Sequence, residues 1–272
     1  MRTELANCQR IVIKVGTSTL INESGFIHFP RIEQLAYVLS SLRSEGKEVI
    51  LVSSGAVGVG CHKLKMTDRP TTIPEQQAVA AVGQSELMSI YSRSFIHYGH
   101  TVAQMLLTRD VVDFPVSKEN VVNTFETLLK KGIIPIVNEN DTVAVEELEH
   151  STKFGDNDRL SAIVAEVTQA DLLVVLSDID GFYDSDPNQN EAAQMFDEIA
   201  QVTPELEALA GGKGSAFGTG GMLTKLSAAD YLLHCQQKMI LANGKNPKII
   251  FDILEGKKVG TLFSTAKKES KV

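Results

Sequence analysis

The sequence predicts an α/β fold, built on a mostly parallel sheet with helices on both faces. Short apolar runs rich in β-branched residues recur along the 272 residues of the chain. Segments with the apolar period of an amphipathic helix lie between them. Strands that are apolar on both faces are typical of parallel sheets covered on both sides.

Six apolar runs are the predicted strands, and each is short enough for a buried strand. They comprise residues 10–15, 48–55, 101–108, 132–140, 170–178 and 237–244.

The first predicted helix shows the signals that define the others. Ile32, Leu35 and Leu39 follow one another at helical spacing, Pro30 suits an early helical position, and Gly46 suits the C-terminal stop. Further helices are predicted at residues 73–98, 117–131, 157–168 and 221–236.

The charge balance limits the classes of partner. The chain has 26 basic and 34 acidic residues, a formal net charge of −8, which argues against a nucleic-acid-binding surface. Its first ten residues lack the apolar segment of a signal peptide, and no apolar run is long enough to cross a membrane. We therefore expect a cytoplasmic protein whose three separated cysteines are free thiols.

Ligands of open parallel sheets bind beyond the carboxyl ends of the strands, so the residues there are the candidate site. Lys14 lies at the end of the first apolar run, just before Gly16. Its ammonium group could face a phosphate, or it could belong to an edge strand and reach water. Ser54 lies at the end of the second run, where it could bind a ligand or simply cap a helix.

The later strands are followed by denser polar groups. Residues 138–141 read Asn-Glu-Asn-Asp, and residues 155–158 read Gly-Asp-Asn-Asp before a predicted helix. A helix cap requires one such side chain, so the surplus favours a binding function. Ser177 and Asp178 end the next run. A later aromatic residue, Tyr183, could either frame a nucleotide or be buried in a turn.

The segment 218–225, Gly-Thr-Gly-Gly-Met-Leu-Thr-Lys, completes the set. It departs from the P-loop pattern in the order and spacing of its lysine and threonine. Its glycines would allow backbone N–H groups to approach phosphate oxygens, and Lys225 would add a positive charge. The polar loops after the main strands together predict an enzyme that binds a phosphorylated ligand.

These segments together resemble the amino acid kinase family. The resemblance rests on IVIKVGTSTL, VSSGAVGVG, AAVGQSELM, QMLLTRDV, PIVNENDTV, FGDNDRLSA, GTGGMLTKLSAAD and GTLF, which span about residues 10–263. It implies a three-layer αβα sandwich in one domain, residues 1–272, with ATP bound by the part after about residue 170. The form resembled is the short one, without a C-terminal PUA domain.

VNEND and FGDND narrow the resemblance to the branch that phosphorylates the γ-carboxylate of L-glutamate in proline biosynthesis. That branch implies ATP with Mg²⁺, possible feedback inhibition by proline, and a homo-oligomer. The exposed part of residues 73–98 is a candidate interface.

The resemblance also assigns roles to residues. Lys14 and Lys225 would neutralise the transferred phosphoryl group, and Asp158 would hold the two lysines. Ser54, Asp141 and Asn157 would contact glutamate. The ATP-binding set would comprise Lys14, Ser177, Asp178, Thr219, Gly220, Gly221, Met222, Leu223, Thr224 and Lys225. No residue is predicted as a direct metal ligand.

Two alternatives stay open at the level of sequence. The chain could be a family member acting on another substrate, such as acetylglutamate, aspartate, carbamate or uridylate. It could also be a nucleotide-binding regulatory protein. An RNA-associated role is opposed by the acidic charge.

Overall fold

The computed structural model describes residues 2–22, 24–108, 114–143, 157–211 and 221–265. Its centre is one sheet of eight strands. The strands are β1 (Arg10–Val15), β2 (Glu48–Ser53), β3 (Val102–Leu107), β4 (Ile134–Glu139), β5 (Leu172–Ser177), β6 (Glu198–Ile199), β7 (Lys238–Asn243) and β8 (Thr261–Phe263).

The sheet is largely parallel, as predicted. The strand order is β3-β4-β2-β1-β5-β7-β8-β6. Only the pair β7–β8 is antiparallel, and the other neighbours run in parallel. The sequence did not predict β6 and β8, because runs of two or three residues carry no periodic signal.

Helices cover both faces of the sheet. A 3₁₀ helix, Arg2–Asn7, comes first. The α-helices are α1 (Thr17–Leu20), α2 (Phe29–Ser44), α3 (Ala56–Lys63), α4 (Ile73–Ile96), α5 (Pro115–Lys130), α6 (Asn157–Val167), α7 (Pro204–Gly211), α8 (Gly221–His234) and α9 (Ile249–Leu254).

Two apolar clusters separate the layers. One contains side chains of α2, α4 and α9 against one face of the sheet, and the other contains side chains of α5, α6 and α8 against the opposite face. Alternate residues of β1 divide between them: Ile11 and Ile13 enter the first cluster and Val12 the second. The predicted three-layer αβα sandwich is therefore confirmed.

Observed strand and helix ends lie close to the predicted ones, and one of these ends affects the site. Asn138 and Glu139, which begin the polar group predicted at the end of the fourth strand, are the last two residues of β4. Their pairing with β3 continues, Asn138 opposite Leu106 and Glu139 opposite Leu107. This pairing draws two polar side chains into the buried end of the sheet, where Asn138 is 3% exposed.

The strand order creates a crevice between β1 and β5. The chain leaves β1 towards β2 on one side, whereas it leaves β5 towards β7 on the other. Such a switch point opens a ligand-binding crevice beyond the carboxyl ends of the two strands.

All three cysteines lie in the described residues, and each is a free thiol, as expected. Burial raises the pKa of the Cys8 thiol, which keeps that side chain protonated and unreactive. Within the described ranges, no helix combines the length and apolarity needed to cross a bilayer.

Candidate active site

Lys14 occupies a central strand rather than an edge. Its backbone pairs with Val52 on one side and Val175 on the other, and the residue is only 2% exposed. The alternative of an edge-strand lysine that reaches water is therefore wrong. A buried ammonium group needs a partner of opposite charge.

Asp158 provides that charge. It lies in the first turn of α6, where the helix dipole favours a carboxylate, and it is 0% exposed. The Nζ of Lys14 lies 2.7 Å from its Oδ1, and the Nζ of Lys225 lies 3.1 Å from its Oδ2. One buried carboxylate thus joins two lysines from distant parts of the chain.

The first turn of α8 aims Lys225 at this carboxylate. The lysine Nζ also donates to the carbonyl oxygen of Gly221, at 3.0 Å. The hydroxyl of Thr224 lies 3.0 Å from Asp158 Oδ2. Thr224, which was predicted to bind ATP, therefore directs its hydroxyl inward to Asp158.

The cluster of Lys14, Asp158 and Lys225 carries two positive charges and one negative charge. Burying charges is expensive, and such a cluster contributes little to stability compared with an apolar one. Its net charge suits an anion at the mouth of the crevice. A side chain added at Gly16 would stand 3.7 Å from Lys14 Nζ, so glycine keeps this approach open.

A second polar cluster lies beside the lysines. Asn157 Nδ2 lies 2.9 Å from the carbonyl oxygen of Ser53, 3.1 Å from Ser54 Oγ and 2.8 Å from Asn138 Oδ1. Two predicted substrate residues, Ser54 and Asn157, are thus in direct contact. Ser54 does not cap α3, whose N-cap is Gly55 at a φ of 98°.

A cleft of about 480 Å³ opens next to Lys225, a size suited to a small-molecule ligand. Of the predicted ATP-binding residues, Ser177, Asp178, Gly221, Met222 and Lys225 line it. Ser177 donates its hydroxyl to Asp178 Oδ1 at 3.0 Å. Tyr183 is also part of the lining, which favours the nucleotide role for that aromatic ring.

The remaining predicted residues take other positions. Leu223 packs beside Gly211 of α7. Asp141 follows the end of β4 and is half-buried. Thr219 and Gly220 lie outside the described residues.

Asn243 and Lys245 also line the cleft, although neither was predicted as a site residue. Asn243 ends β7 and donates to Asp180 Oδ1 at 2.6 Å. They lie at the carboxyl end of a strand, as the other site residues do, and that position in the sequence could have identified them.

A magnesium ion fits this site as a companion of bound phosphates. Within the described ranges, no three His, Cys, Asp or Glu side chains form a metal-binding group. Mg²⁺ commonly needs only one or two carboxylates when phosphate oxygens and water supply its other ligands. Asp178, at the cleft wall, could supply one carboxylate.

The family model that describes the amino acid kinase family matches residues 9–243. The chain belongs to the amino acid kinase family.

Curated relatives of this amino acid kinase match it over almost its full length. A glutamate 5-kinase of Listeria innocua is 70% identical over 99% of this chain and 98% of the relative. Glutamate 5-kinases of Enterococcus faecalis and Clostridium perfringens are 63% and 56% identical, each over 99% of this chain and 100% of the relative.

Solved structures of other kinases share the fold at low identity. Carbamate kinase from Giardia lamblia, bound to AMP-PNP, gives a TM-score of 0.67 at 18% identity, covering 96% of this chain and 100% of that one. UMP kinase from Bacillus anthracis gives 0.59 at 18% identity, covering 94% and 96%. At this identity the likeness establishes the amino acid kinase fold alone.

Proposed function

We propose that this chain transfers the γ-phosphoryl group of ATP to the side-chain carboxylate of L-glutamate, giving L-glutamyl 5-phosphate, the first step of proline biosynthesis. The observation that carries the proposal is Asp158, buried between Lys14 and Lys225 at the sheet's switch point. The glutamate 5-kinases reported above, 56–70% identical to this chain, support glutamate as the substrate.

The reaction needs no general base. A glutamate side chain has a pKa of about 4.3, so its carboxylate is already ionised at neutral pH. The barrier is the repulsion between this anion and the anionic phosphoryl group, and catalysis consists mainly of positioning and charge neutralisation.

The two lysines meet that requirement. Asp158 Oδ1 holds the Nζ of Lys14 near the carboxyl end of β1. Gly16, which follows that strand, leaves room there for the transferred phosphoryl group. Lys225 Nζ, held by Asp158 Oδ2, lies at the wall of the nucleotide cleft. Because Asp158 fixes both ammonium groups before the substrates bind, little reorganisation is needed during the transfer.

Glutamate would lie on the side of Ser54 and Asn157. The hydroxyl of Ser54 can donate to a substrate carboxylate, and Asp141 can accept from the substrate ammonium group. The nucleotide would lie in the cleft lined by Ser177, Asp178 and Gly221. When bound to the phosphates, Mg²⁺ would neutralise part of their negative charge.

Further parts of the proposal concern the whole protein. We propose a single kinase domain with glutamate bound by its N-terminal part and ATP by the part after about residue 170, in a cytoplasmic homo-oligomer inhibited by proline. Val82 and Ile96, 38% and 67% exposed on α4, make that helix the candidate interface. Sedimentation equilibrium and a proline titration at several glutamate concentrations would test these two points.

The activity itself is testable with a hydroxamate trap. Purified protein, Mg-ATP, L-glutamate and hydroxylamine are incubated, and the captured acyl phosphate is measured as its coloured iron complex. We expect colour that depends on glutamate and does not form with aspartate or acetylglutamate.

Other outcomes separate the alternatives. Colour with a different acid would retain the phosphoryl-transfer mechanism and overturn the substrate. Absence of colour with every acid, in protein that binds ATP, would favour a nucleotide-binding regulatory protein.

A further inference from the structure

A row of side-chain amides runs from the site to β3, the strand at one edge of the sheet. Asn157 Nδ2 lies 2.8 Å from Asn138 Oδ1, Asn138 Nδ2 lies 2.8 Å from Gln84 Oε1, and Gln84 Nε2 lies 3.2 Å from Gln104 Oε1. We call these four residues the amide chain. Its third member belongs to α4, which has no part in the mechanism described above.

Backbone groups fix the direction of the amide chain. A carboxamide can otherwise be placed either way round. The carbonyl oxygen of Ser53 only accepts, so the atom of Asn157 at 2.9 Å from it is the nitrogen. The N–H of Glu139 only donates, so the atom of Asn138 at 2.9 Å from it is the oxygen. Asn138 therefore turns its nitrogen to Gln84, which must present its oxygen.

The acceptor on Gln84 matters because Asn138 is buried. Asn138 is 3% exposed and Asn157 is 6% exposed, so an amide that loses its partner here is not compensated by water. Without an oxygen at residue 84, the Nδ2 of Asn138 would have to turn elsewhere. That rotation would remove the acceptor that Asn157 and the Glu139 N–H share.

We infer that Gln84 is a positioning residue for the amino-acid substrate, an inference that rests on the proposed function. It acts through Asn138 and holds the Asn157 carboxamide in one orientation. Among the described residues, the side-chain hydrogen bonds of Asn157 all use Nδ2. Its oxygen is then the atom offered to the substrate, and an oxygen selects a cationic group, the ammonium of the amino acid.

Two substitutions of similar shape test the inference. Gln84→Met removes the acceptor, whereas Gln84→Glu retains an oxygen towards Asn138, removes the donor to Gln104 and adds one negative charge. The matched control is Gln76→Met on the same helix, since Gln76 Nε2 bonds the carbonyl oxygen of Pro70 instead.

We expect Gln84→Met to raise the KM for glutamate about tenfold, the effect of removing one part-buried hydrogen bond from the buried Asn138 amide. Its kcat and its KM for ATP should stay within about twofold of wild type, because the phosphoryl-transfer groups are untouched. Gln84→Glu should restore the KM to within about threefold of wild type, and Gln76→Met should match wild type.

Three results would overturn the inference. One is an unchanged KM for glutamate in Gln84→Met. Another is equal impairment of the Met and Glu variants, which would indicate packing rather than an acceptor. The third is a parallel loss in kcat and in ATP binding, which would indicate a general structural effect.

A second readout does not depend on activity. In protein labelled with ¹⁵N-asparagine, the slowly exchanging side-chain NH₂ signals should shift and exchange faster in Gln84→Met and remain unchanged in Gln76→Met. If wild-type protein gave no product from glutamate, the proposed function would fail while this spectrum still decided whether Gln84 orients the asparagines. Identical spectra in all variants would contradict the inference.

Discussion

At the scale of single residues, the site depends on the carboxylate of Asp158, which is fully buried although burying a charge costs free energy. Asp158 has no exposed surface, forms an ion pair with Lys14, and accepts hydrogen bonds from Lys225 and Thr224. Replacing a buried ion cluster by apolar side chains is often neutral or stabilising. Stability alone therefore does not explain this cluster, and its position at the crevice points to catalysis.

The variant Asp158→Asn should separate the contribution of Asp158 to catalysis from its contribution to stability. The amide keeps the shape but cannot neutralise two ammonium groups, so we expect kcat to fall about 100- to 1000-fold. The buried lysines left without a full counter-charge should lower the free energy of unfolding by about 3–5 kcal/mol. The hydroxamate assay and urea denaturation measure the two effects.

Asp171→Asn is the matched control for that variant. Asp171 accepts from the backbone N–H groups of Gln9 and Arg10 at the opposite end of the sheet, so its loss should leave kcat within about twofold. A near-normal kcat in Asp158→Asn would remove Asp158 from the mechanism.

At the scale of secondary-structure elements, α4 supports the substrate side of the site. Gln84 bonds Asn138, and Tyr91, two turns later on the same helix face, lies 2.8 Å through its hydroxyl from Ser53 Oγ. Burial raises the pKa of Tyr91, which keeps the phenol protonated as a hydrogen-bonding group. The position of α4 therefore affects how glutamate is held.

Glycines set the distance between α3 and α4. A Cβ at Gly83 would overlap the carbonyl oxygen of Ala56. Gly83→Ala would therefore push the helices apart, and we expect the free energy of unfolding to fall by about 3 kcal/mol. Without that clash, replacing glycine by alanine inside a helix should raise the free energy of unfolding by up to about 1 kcal/mol. The sign of the measured change therefore shows whether the clash occurs.

Chemical denaturation measures this effect, and the KM for glutamate should rise with it. Ser89→Ala, at an exposed position of the same helix, should change stability by less than about 0.5 kcal/mol. A stabilised Gly83→Ala variant would show that the two helices are free to adjust.

At the scale of the whole molecule, the two ends of the described chain are tied together by residues that do not line the cleft. The guanidinium of Arg2 donates to the carbonyl oxygens of Asp197, Lys257, Val259 and Gly260. These bonds attach the N-terminal 3₁₀ helix to the strands that complete one edge of the sheet.

Arg2→Met should therefore lower the free energy of unfolding by about 1–3 kcal/mol, since part-buried carbonyl groups lose their donor. The kinetic constants should be unchanged. Urea denaturation with parallel assays tests this, and Arg93→Met, at a residue whose side chain is 65% exposed, is the control. Equal stability of the two variants would contradict the tether.

The order of the main strands and helices followed from the sequence, because apolar period and cap signals are local properties of the chain. The sequence by itself also named Lys14, Asp158 and Lys225 through family resemblance, since their motifs carry the chemistry. Neither the local patterns nor the family resemblance could predict the hydrogen bonds between Asn157, Asn138 and Gln84.

Only the tertiary structure decided that Lys14 lies on a central strand, that Thr224 turns to Asp158, and that Gln84 joins the site through Asn138. Strand order and helix packing depend on long-range contacts, which no local pattern encodes. The sequence thus determined which groups were present, and the packing of the sheet and its helices determined which of them meet.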